Sequence, residues 1–226
     1  MSDQPIQSDA LGVESALPAG YPGALAPVRT SHRRGSRMVT ALFMACLVAG
    51  LWQFGAGLYI HAKARFAQLL IASAWTKTLA GQRAVKPWSW ADTWPVARIH
   101  APATGSELYV LAGSDGRTIA FGPGHMHGTP LPGHQGNSVI GGHRDTHFAF
   151  LRDLKHGDAL TVQREDGELR HFRVNDLQVV DKFDTHVASN TGPTRITLIT
   201  CWPFNALQPG GRERYVVSAV ATSASY

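Results

Sequence analysis

The stretch RITLITCWPF, Arg195 to Phe204, decides most of what can be predicted about the fold. β-Branched and apolar residues alternate up to Thr200, as in a strand that buries one face. The run ends on Cys201, and Pro203 follows at a point where a central strand cannot continue. The stretch therefore predicts a strand that presents a cysteine at its end.

Similar short runs fill the chain from residue 88 onwards, separated by Gly, Pro, Asn and Asp. The other seven are VARIHA (96–101), ELYVLAG (107–113), RTIAFG (117–122), NSVIGG (137–142), ALTVQRE (159–165), HFRVNDLQVVD (171–181) and RYVVSAVAT (214–222). Eight short strands at this spacing predict a β-sandwich or a closed barrel. One helix is expected, in HFAFLRDLKHG, with Gly157 at its end.

A different pattern marks the N-terminal third. Met38 to Ile60, MVTALFMACLVAGLWQFGAGLYI, is a run of 23 residues without a charge. As a helix it would be about 35 Å long, enough to cross a hydrocarbon core of about 30 Å. Four arginines precede the run, whereas Lys63 and Arg65 follow it, so the positive-inside rule favours a cytoplasmic N-terminus. A cleavable signal peptide is the alternative, but the run starts late and lacks a good A-x-A cleavage site.

These patterns divide the chain into four predicted parts. Residues 1–37 form a disordered basic cytoplasmic tail, and residues 38–60 form a transmembrane signal anchor. Residues 61–87 form a juxtamembrane helix or linker, either on the membrane surface or continuous with the anchor. Residues 88–226 form an extracytoplasmic β-domain.

The charge distribution agrees with this division. Residues 1–87 hold nine Lys and Arg against three Asp and Glu, whereas residues 88–226 hold twelve against thirteen. The net charge of +5 therefore belongs to the N-terminal third. No basic stripe with interleaved aromatic residues follows, so a nucleic-acid partner is not expected.

The cysteine count makes Cys201 informative. The chain has two cysteines, and Cys46 lies inside the predicted span, where it cannot pair with Cys201. An unpaired thiol outside the cytoplasm is a liability unless it is buried or performs chemistry. Cys201 is therefore either an inert core residue or a nucleophile.

A nucleophilic cysteine needs a base and a group that stabilises the oxyanion. His143 follows a strand-like run and a Gly-Gly pair, so it stands at a strand end like Cys201. Arg214 begins the last strand, and a hairpin of the last two strands would place it beside Cys201. Arg212 also lies near that strand. An arginine suits the role because it stays charged and presents a rigid fork of donors.

Together, TLITC, GHRDTHF and RYVV resemble the sortase family, the cysteine transpeptidases of bacterial cell surfaces. The resemblance covers about residues 94–222 and is strongest to the proteobacterial group called class GN, whose members share an N-terminal membrane anchor. It implies an eight-stranded β-barrel with short helices. It also implies that Cys201, His143 and Arg214 are catalytic, with Arg214 favoured over Arg212 by the register of RYVV.

The resemblance further implies a reaction and its partners. The enzyme would cleave an LPxTG-like C-terminal sorting signal of a protein through a thioester and transfer that protein to an amine acceptor. It would act without a cofactor from a single-pass anchor in the inner (cytoplasmic) membrane, with the catalytic domain on the periplasmic or extracellular side.

Three neighbouring residues are candidates for substrate binding, each with an ordinary alternative. Thr200 could hydrogen-bond near the substrate or pack its methyl group in the strand. Trp202 could line a groove or cover the barrel end, and Asp145 could pair with Arg144 or cap a turn.

Three other interpretations of the chain compete with this one. An L,D-transpeptidase is suggested by HGT at residues 127–129, although the Ser and Gly that precede its cysteine are absent here. A metal site is suggested by the spacing in HMH (125–127) and HRDTH (143–147). The third is a non-enzymatic anchored β-domain in which Cys201 is a core residue.

Overall fold

The computed structural model describes residues 32–208 and 210–222. Most of the predicted cytoplasmic tail, residues 1–31, lies outside the described residues. The described residues divide into two compact units, with the boundary between Gln53 and Phe54, and the β-domain belongs to the second.

One continuous helix, α1, runs from His32 to Leu79. It contains no proline and is long and apolar enough to cross a membrane, by length and composition. Its side chains between Met38 and Ile60 are largely exposed in the protein, as lipid-facing side chains would be. The helix extends beyond Ile60, so the anchor and juxtamembrane ranges share one element.

The last turns of α1 pack on the β-domain within the second unit. Its buried residues recur at helical spacing: Ala67, Ile71, Ala74, Trp75 and Thr78. Gln68 Nε2 donates to Phe121 O at 2.7 Å, and Trp75 Nε1 donates to Gln163 Oε1 at 3.3 Å. Apolar burial and two polar contacts thus join the end of α1 to the domain.

Eight strands form a closed barrel. They are β1 Pro95–Ala101, β2 Ser106–Ala112, β3 Gly124–His125, β4 Asn137–Gly141, β5 Ala159–Arg164, β6 Leu169–Asp181, β7 Arg195–Cys201 and β8 Glu213–Ala221. Their order around the barrel is β1-β2-β3-β4-β7-β8-β6-β5. β2–β3 and β4–β7 pair in parallel, and the other pairs are antiparallel. Short 3₁₀ helices occur at Pro102–Thr104, Ala149–Asp153 and Thr185–Ala188.

Each strand around the site packs one of its two faces in the barrel interior. Ile196 and Leu198 of β7 are fully buried in the core, together with Ile140 of β4 and Val217 of β8. Burying one such side chain stabilises the fold by about 1.5–3 kcal/mol. This alternation places Cys201 on the opposite face of β7 from Leu198.

The predicted strand RTIAFG is wrong. Arg117 to Gly122 form turns, whereas β3, Gly124–His125, is a strand that the prediction missed. The Asp115 carboxylate accepts hydrogen bonds from the backbone N–H of Arg117 and of Thr118, at 2.9 and 3.2 Å. These hydrogen bonds stabilise a turn. The apolar residues Ile119, Ala120 and Phe121 made the segment look like a strand in the sequence.

The predicted helix in HFAFLRDLKHG is shorter than expected and of a different type. It is a 3₁₀ helix, Ala149–Asp153, and Leu154 already has extended backbone angles. Gly157, with φ +88, lies in the next turn, where its N–H donates to Val174 O at 2.7 Å. Gly157 therefore turns the chain into β5 instead of ending the helix.

Candidate active site

Cys201 and Arg214 are directly opposite each other on neighbouring antiparallel strands. The register of β7 and β8 pairs Thr200 with Tyr215 and Cys201 with Arg214. Paired residues project from the same face of a sheet, so thiol and guanidinium share one face. The hairpin-like juxtaposition predicted from the sequence is present.

On the edge of β7 opposite β8 lies β4, the strand that precedes His143. β4 runs parallel to β7, and the last pair in their register is Gly141 with Ile199. Gly142 N then donates to Ile199 O at 3.1 Å. His143 and Cys201 each stand two residues beyond that last pair, so the register brings both strands to the site at the same level.

Thr200 and Gly142 hold these two strand ends together. Thr200 is 2% exposed, and its hydroxyl donates to Gly142 O at 2.8 Å. A Cβ at Gly142 would lie 2.7 Å from Phe148 Cδ2, so glycine is required for this close approach. The hydroxyl of Thr200 is thus engaged between strands, and its role in substrate binding stays a prediction.

The three predicted catalytic side chains reach solvent to different degrees. His143 is exposed, whereas Cys201 and Arg214 are half-buried. Cys201 is a free thiol. Arg214 Nη1 donates to Gly211 O and Glu213 O at 2.7 and 2.8 Å. In the part of the chain that the structure describes, Nε and Nη2 of Arg214 have no protein acceptor, which leaves two donor atoms for a ligand.

Arg144 also belongs to the site, although the sequence suggested it only as a partner for Asp145. It is 6% exposed and holds Asp145 through two hydrogen bonds, at 2.8 and 3.0 Å. This guanidinium keeps the pKa of the Asp145 carboxyl below its usual value, and the charge of His143 lowers that pKa further. The predicted substrate-binding residue Asp145 is thus paired with Arg144. The sequence signal for this ion pair was the neighbouring opposite charges of Arg144 and Asp145, shortly after Gly141 and Gly142.

An aromatic cluster stands beside the cysteine. Trp202 stacks on Tyr215 with ring centroids 5.5 Å apart, and Phe204 meets both rings edge-on. Burial raises the pKa of Tyr215. The peptide bond between Trp202 and Pro203 is cis. The ring contacts make Trp202 part of an aromatic surface next to Cys201. Tyr215 belongs to the same surface and was not predicted from the sequence.

The histidines that suggested a metal site have other surroundings. His125 Nε2 lies 2.9 Å from Pro130 O and 3.0 Å from Thr129 Oγ1, and burial lowers its pKa. Burial also lowers the pKa of His147, with a further lowering by the charge of His143. Within residues 32–208 and 210–222, no three His, Cys, Asp or Glu side chains are grouped as metal ligands.

A cavity of about 640 Å³ lies elsewhere, between α1 and segments 88–93 and 116–121. Its lining includes Phe66, Leu70, Trp88 and Phe121 but none of the predicted catalytic residues. The predicted catalytic residues lie instead on the surface at the ends of β4, β7 and β8, outside this cavity.

Comparisons with known proteins agree with this geometry. The chain is 29% identical to Sortase D from Bacillus subtilis (strain 168) over 120 residues, which are 53% of this chain and 60% of the relative. Sortase C-1 from Actinomyces oris is 34% identical, with a TM-score of 0.51 over 57% of this chain and 73% of that one. For sortase A from Corynebacterium diphtheriae the identity is 25% and the TM-score 0.53, over 70% and 84% of the two chains.

The family model for the sortase domain matches residues 99–222, which include all eight strands except the start of β1. The closed eight-stranded barrel seen here is also the fold of those sortase structures. This match covers more than half of the chain, and the protein therefore belongs to the sortase family.

Proposed function

We propose that this protein is a transpeptidase of the sortase kind that transfers an acyl group through Cys201. The observation that carries the proposal is the position of Cys201, which pairs with Arg214 on one side and adjoins the strand leading to His143 on the other. A thiol nucleophile, an imidazole that can transfer a proton and a cation that can stabilise an oxyanion are groups suited to acyl transfer. Sortase family membership supports the same reaction.

In the first half-reaction, the Cys201 thiolate attacks a peptide carbonyl carbon and forms a C–S bond. The carbonyl oxygen becomes an oxyanion, which the free donors of Arg214 stabilise. As the C–N bond breaks, the His143 imidazolium gives its proton to the departing amine. A thioester, a free amine and neutral His143 remain.

In the second half-reaction, the amine of an acceptor attacks the thioester carbonyl. Neutral His143 takes a proton from the attacking amine, and the C–S bond breaks to return the Cys201 thiolate. The products are a new amide and the starting enzyme with His143 protonated. A histidine suits both steps because its ordinary pKa of about 6.5 allows it to act as acid and as base.

We assign the substrate to the class of proteins with a C-terminal sorting signal of LPxTG type, and the acceptor to amines at the cell envelope. Family membership supports the first assignment. The aromatic surface of Trp202, Phe204 and Tyr215 offers an apolar wall beside the thiol for the signal's side chains. Neither half-reaction includes a metal ion, a cofactor or a nucleic acid.

The proposed setting is a single-pass anchor in the inner membrane. Helix α1 supplies a segment of sufficient length and apolarity, and the arginines before Met38 favour a cytoplasmic N-terminus. The β-domain then stands on the periplasmic or extracellular side, where envelope substrates are available. Placement in the class GN group rests on the same anchor and on the motifs around His143 and Cys201.

The test uses the full chain in detergent micelles with a panel of LPxTG-like peptides and hydroxylamine as the acceptor. Mass spectrometry should detect a peptide hydroxamate that Cys201→Ala protein does not form. Absence of any hydroxamate, together with a Cys201 that resists alkylation in the folded protein, would mean that the thiol is structural. The non-enzymatic β-domain would then be the better description.

A further inference from the structure

The guanidinium of Arg144 is buried next to an exposed residue of the site. Its side chain is 5% exposed, although His143 immediately before it is exposed. Burying a charge is costly unless partners surround it, so such a position needs a compensating set of contacts. Asp145 supplies two of them, at 2.8 and 3.0 Å.

The remaining contacts cross to the chain that follows the cysteine. Arg144 Nη1 donates to Pro203 O at 2.6 Å, and Nη2 donates to Ala206 O at 2.9 Å. One planar group thus binds a carboxylate on its own segment and two carbonyls on the segment after Cys201. A lysine has no comparable rigid fork and cannot reproduce this arrangement.

These contacts join the segment that contains His143 to the segment that follows Cys201. Arg144 is covalently next to His143, while Pro203 is two residues beyond Cys201. The hydrogen bond from Thr200 to Gly142 O joins the same two segments ahead of these residues. Arg144 joins the two segments again, just after His143 and Cys201. The two segments are therefore hydrogen-bonded to each other both before and after the reacting residues.

We propose that Arg144 is a positioning residue that fixes the approach of His143 to Cys201, with Asp145 orienting its guanidinium. The inference rests on the proposed acyl transfer and names a residue beyond the three that perform it. Arg144 acts through backbone carbonyls, and its donors are occupied by the protein, so it is not assigned to substrate binding. Its loss should therefore slow chemistry more than it weakens substrate binding.

The chain contains a matched control. Arg152 is followed by Asp153 as Arg144 is followed by Asp145, and its Nε lies 3.5 Å from Asp153 Oδ2. Both of those side chains are more than half exposed. Arg152→Lys and Arg152→Ala therefore make the same chemical changes at an Arg-Asp pair on the surface.

In the hydroxylamine assay with full-length protein, Arg144→Lys should lower kcat by about 100-fold, the effect expected of a small misplacement of reacting groups. KM should change less than about threefold, and Arg152→Lys should leave both constants within about twofold of the wild type. A purely structural role would reduce the folded fraction, which circular dichroism measures, without lowering kcat per folded molecule. A kcat within threefold of the wild type in folded Arg144→Lys protein would overturn the inference.

Chemical rescue provides a second readout. Arg144→Ala removes the planar group and leaves room in which added guanidinium or methylguanidinium ion can bind. We expect these ions to raise kcat of Arg144→Ala protein at least tenfold and to leave Arg152→Ala protein unchanged. Equal responses of the two variants would contradict a specific role for the guanidinium at Arg144.

Hydrogen exchange separates this inference from the proposed function. In folded Arg144→Lys protein, backbone exchange should accelerate in both segments 142–147 and 202–208 and stay unchanged in Arg152→Lys protein. If the wild type shows no acyl transfer, the proposed function fails, and exchange still reports on the link itself. Unchanged exchange in either segment would show that Arg144 does not couple them.

Discussion

At the scale of the residue, Arg212 and Arg214 differ in surroundings although one residue separates them. Arg212 is 76% exposed, and its Nε donates to Asp181 Oδ2 at 2.5 Å. Arg214 is half-buried and stands opposite Cys201. Of these two arginines, Arg214 is the one opposite the thiol, and its catalytic role is part of the proposed function.

Replacing each of these arginines tests that role. Arg214→Ala should lower kcat/KM by about 100- to 1,000-fold, the loss typical of one oxyanion donor. Arg212→Ala should stay within about threefold of the wild type, because an exposed ion pair contributes little. Steady-state kinetics of both variants in the hydroxylamine assay is the measurement. A larger loss in Arg212→Ala than in Arg214→Ala would reverse the assignment.

Cys201 and Arg214 could be paired from the sequence because Cys201 ends one alternating run and Arg214 begins the next, and the end of one antiparallel strand meets the start of its neighbour. Arg144 could not be identified in this way. Its partners Pro203 and Ala206 lie 59 and 62 residues away along the chain. Contacts between a side chain and distant carbonyls leave no periodic signal.

At the scale of the element, β7 contains two buried threonines whose hydroxyl groups have different hydrogen-bond partners. Thr200 Oγ1 donates to Gly142 O at 2.8 Å, next to the site. Thr197 Oγ1 donates to Asn137 Oδ1 at 2.7 Å, three residues earlier in β7 and farther from the site. Both are nearly inaccessible to solvent, at 2% and 1% exposure.

Thr200→Val and Thr197→Val should therefore destabilise the fold similarly but affect activity differently. Each variant leaves a buried acceptor without its donor, at a cost of about 1–3 kcal/mol. Only Thr200→Val loosens the chain before His143, so only that variant should lose about tenfold or more in kcat. Denaturant unfolding and kinetics measured on the same samples check both statements. Equal losses of kcat in the two variants would assign the effect to stability alone.

The elements themselves were predictable where side-chain alternation is strong, as in β1, β7 and β8. Prediction failed at Arg117–Gly122 because the Asp115 side chain closes a turn there. It also missed β3, whose two residues, Gly124 and His125, are too few to show a period. Glycine is needed at position 124, because a Cβ there would lie 2.1 Å from Gly113 O.

At the scale of the whole molecule, the two cysteines report on different parts of the chain. Cys46 lies in the apolar stretch of α1, and Cys201 lies in the barrel, where it is half-buried at the end of β7. A membrane-impermeant maleimide can therefore test the proposed orientation without any added cysteine.

Cys46→Ser protein, expressed in a bacterial inner membrane, should label at Cys201 in intact spheroplasts as completely as after lysis. Cys201→Ser protein should stay unlabelled in both states, because Cys46 is then the remaining thiol and lies in the proposed span. Gel-shift analysis with a polymer-coupled maleimide gives the readout. Labelling of Cys201 only after lysis would place the barrel on the cytoplasmic side.

The central claim is that Cys201 carries the acyl group, and mass spectrometry of the digested, acid-quenched protein tests it most directly. Full-length protein is mixed with a peptide that the panel identifies as a substrate, quenched in acid and digested. The account predicts a mass increase equal to the acyl fragment on the peptide that contains Cys201, removed by hydroxylamine and absent in Cys201→Ala. Product formation by Cys201→Ala protein, or turnover in the wild type with the acyl group on another residue, would contradict it.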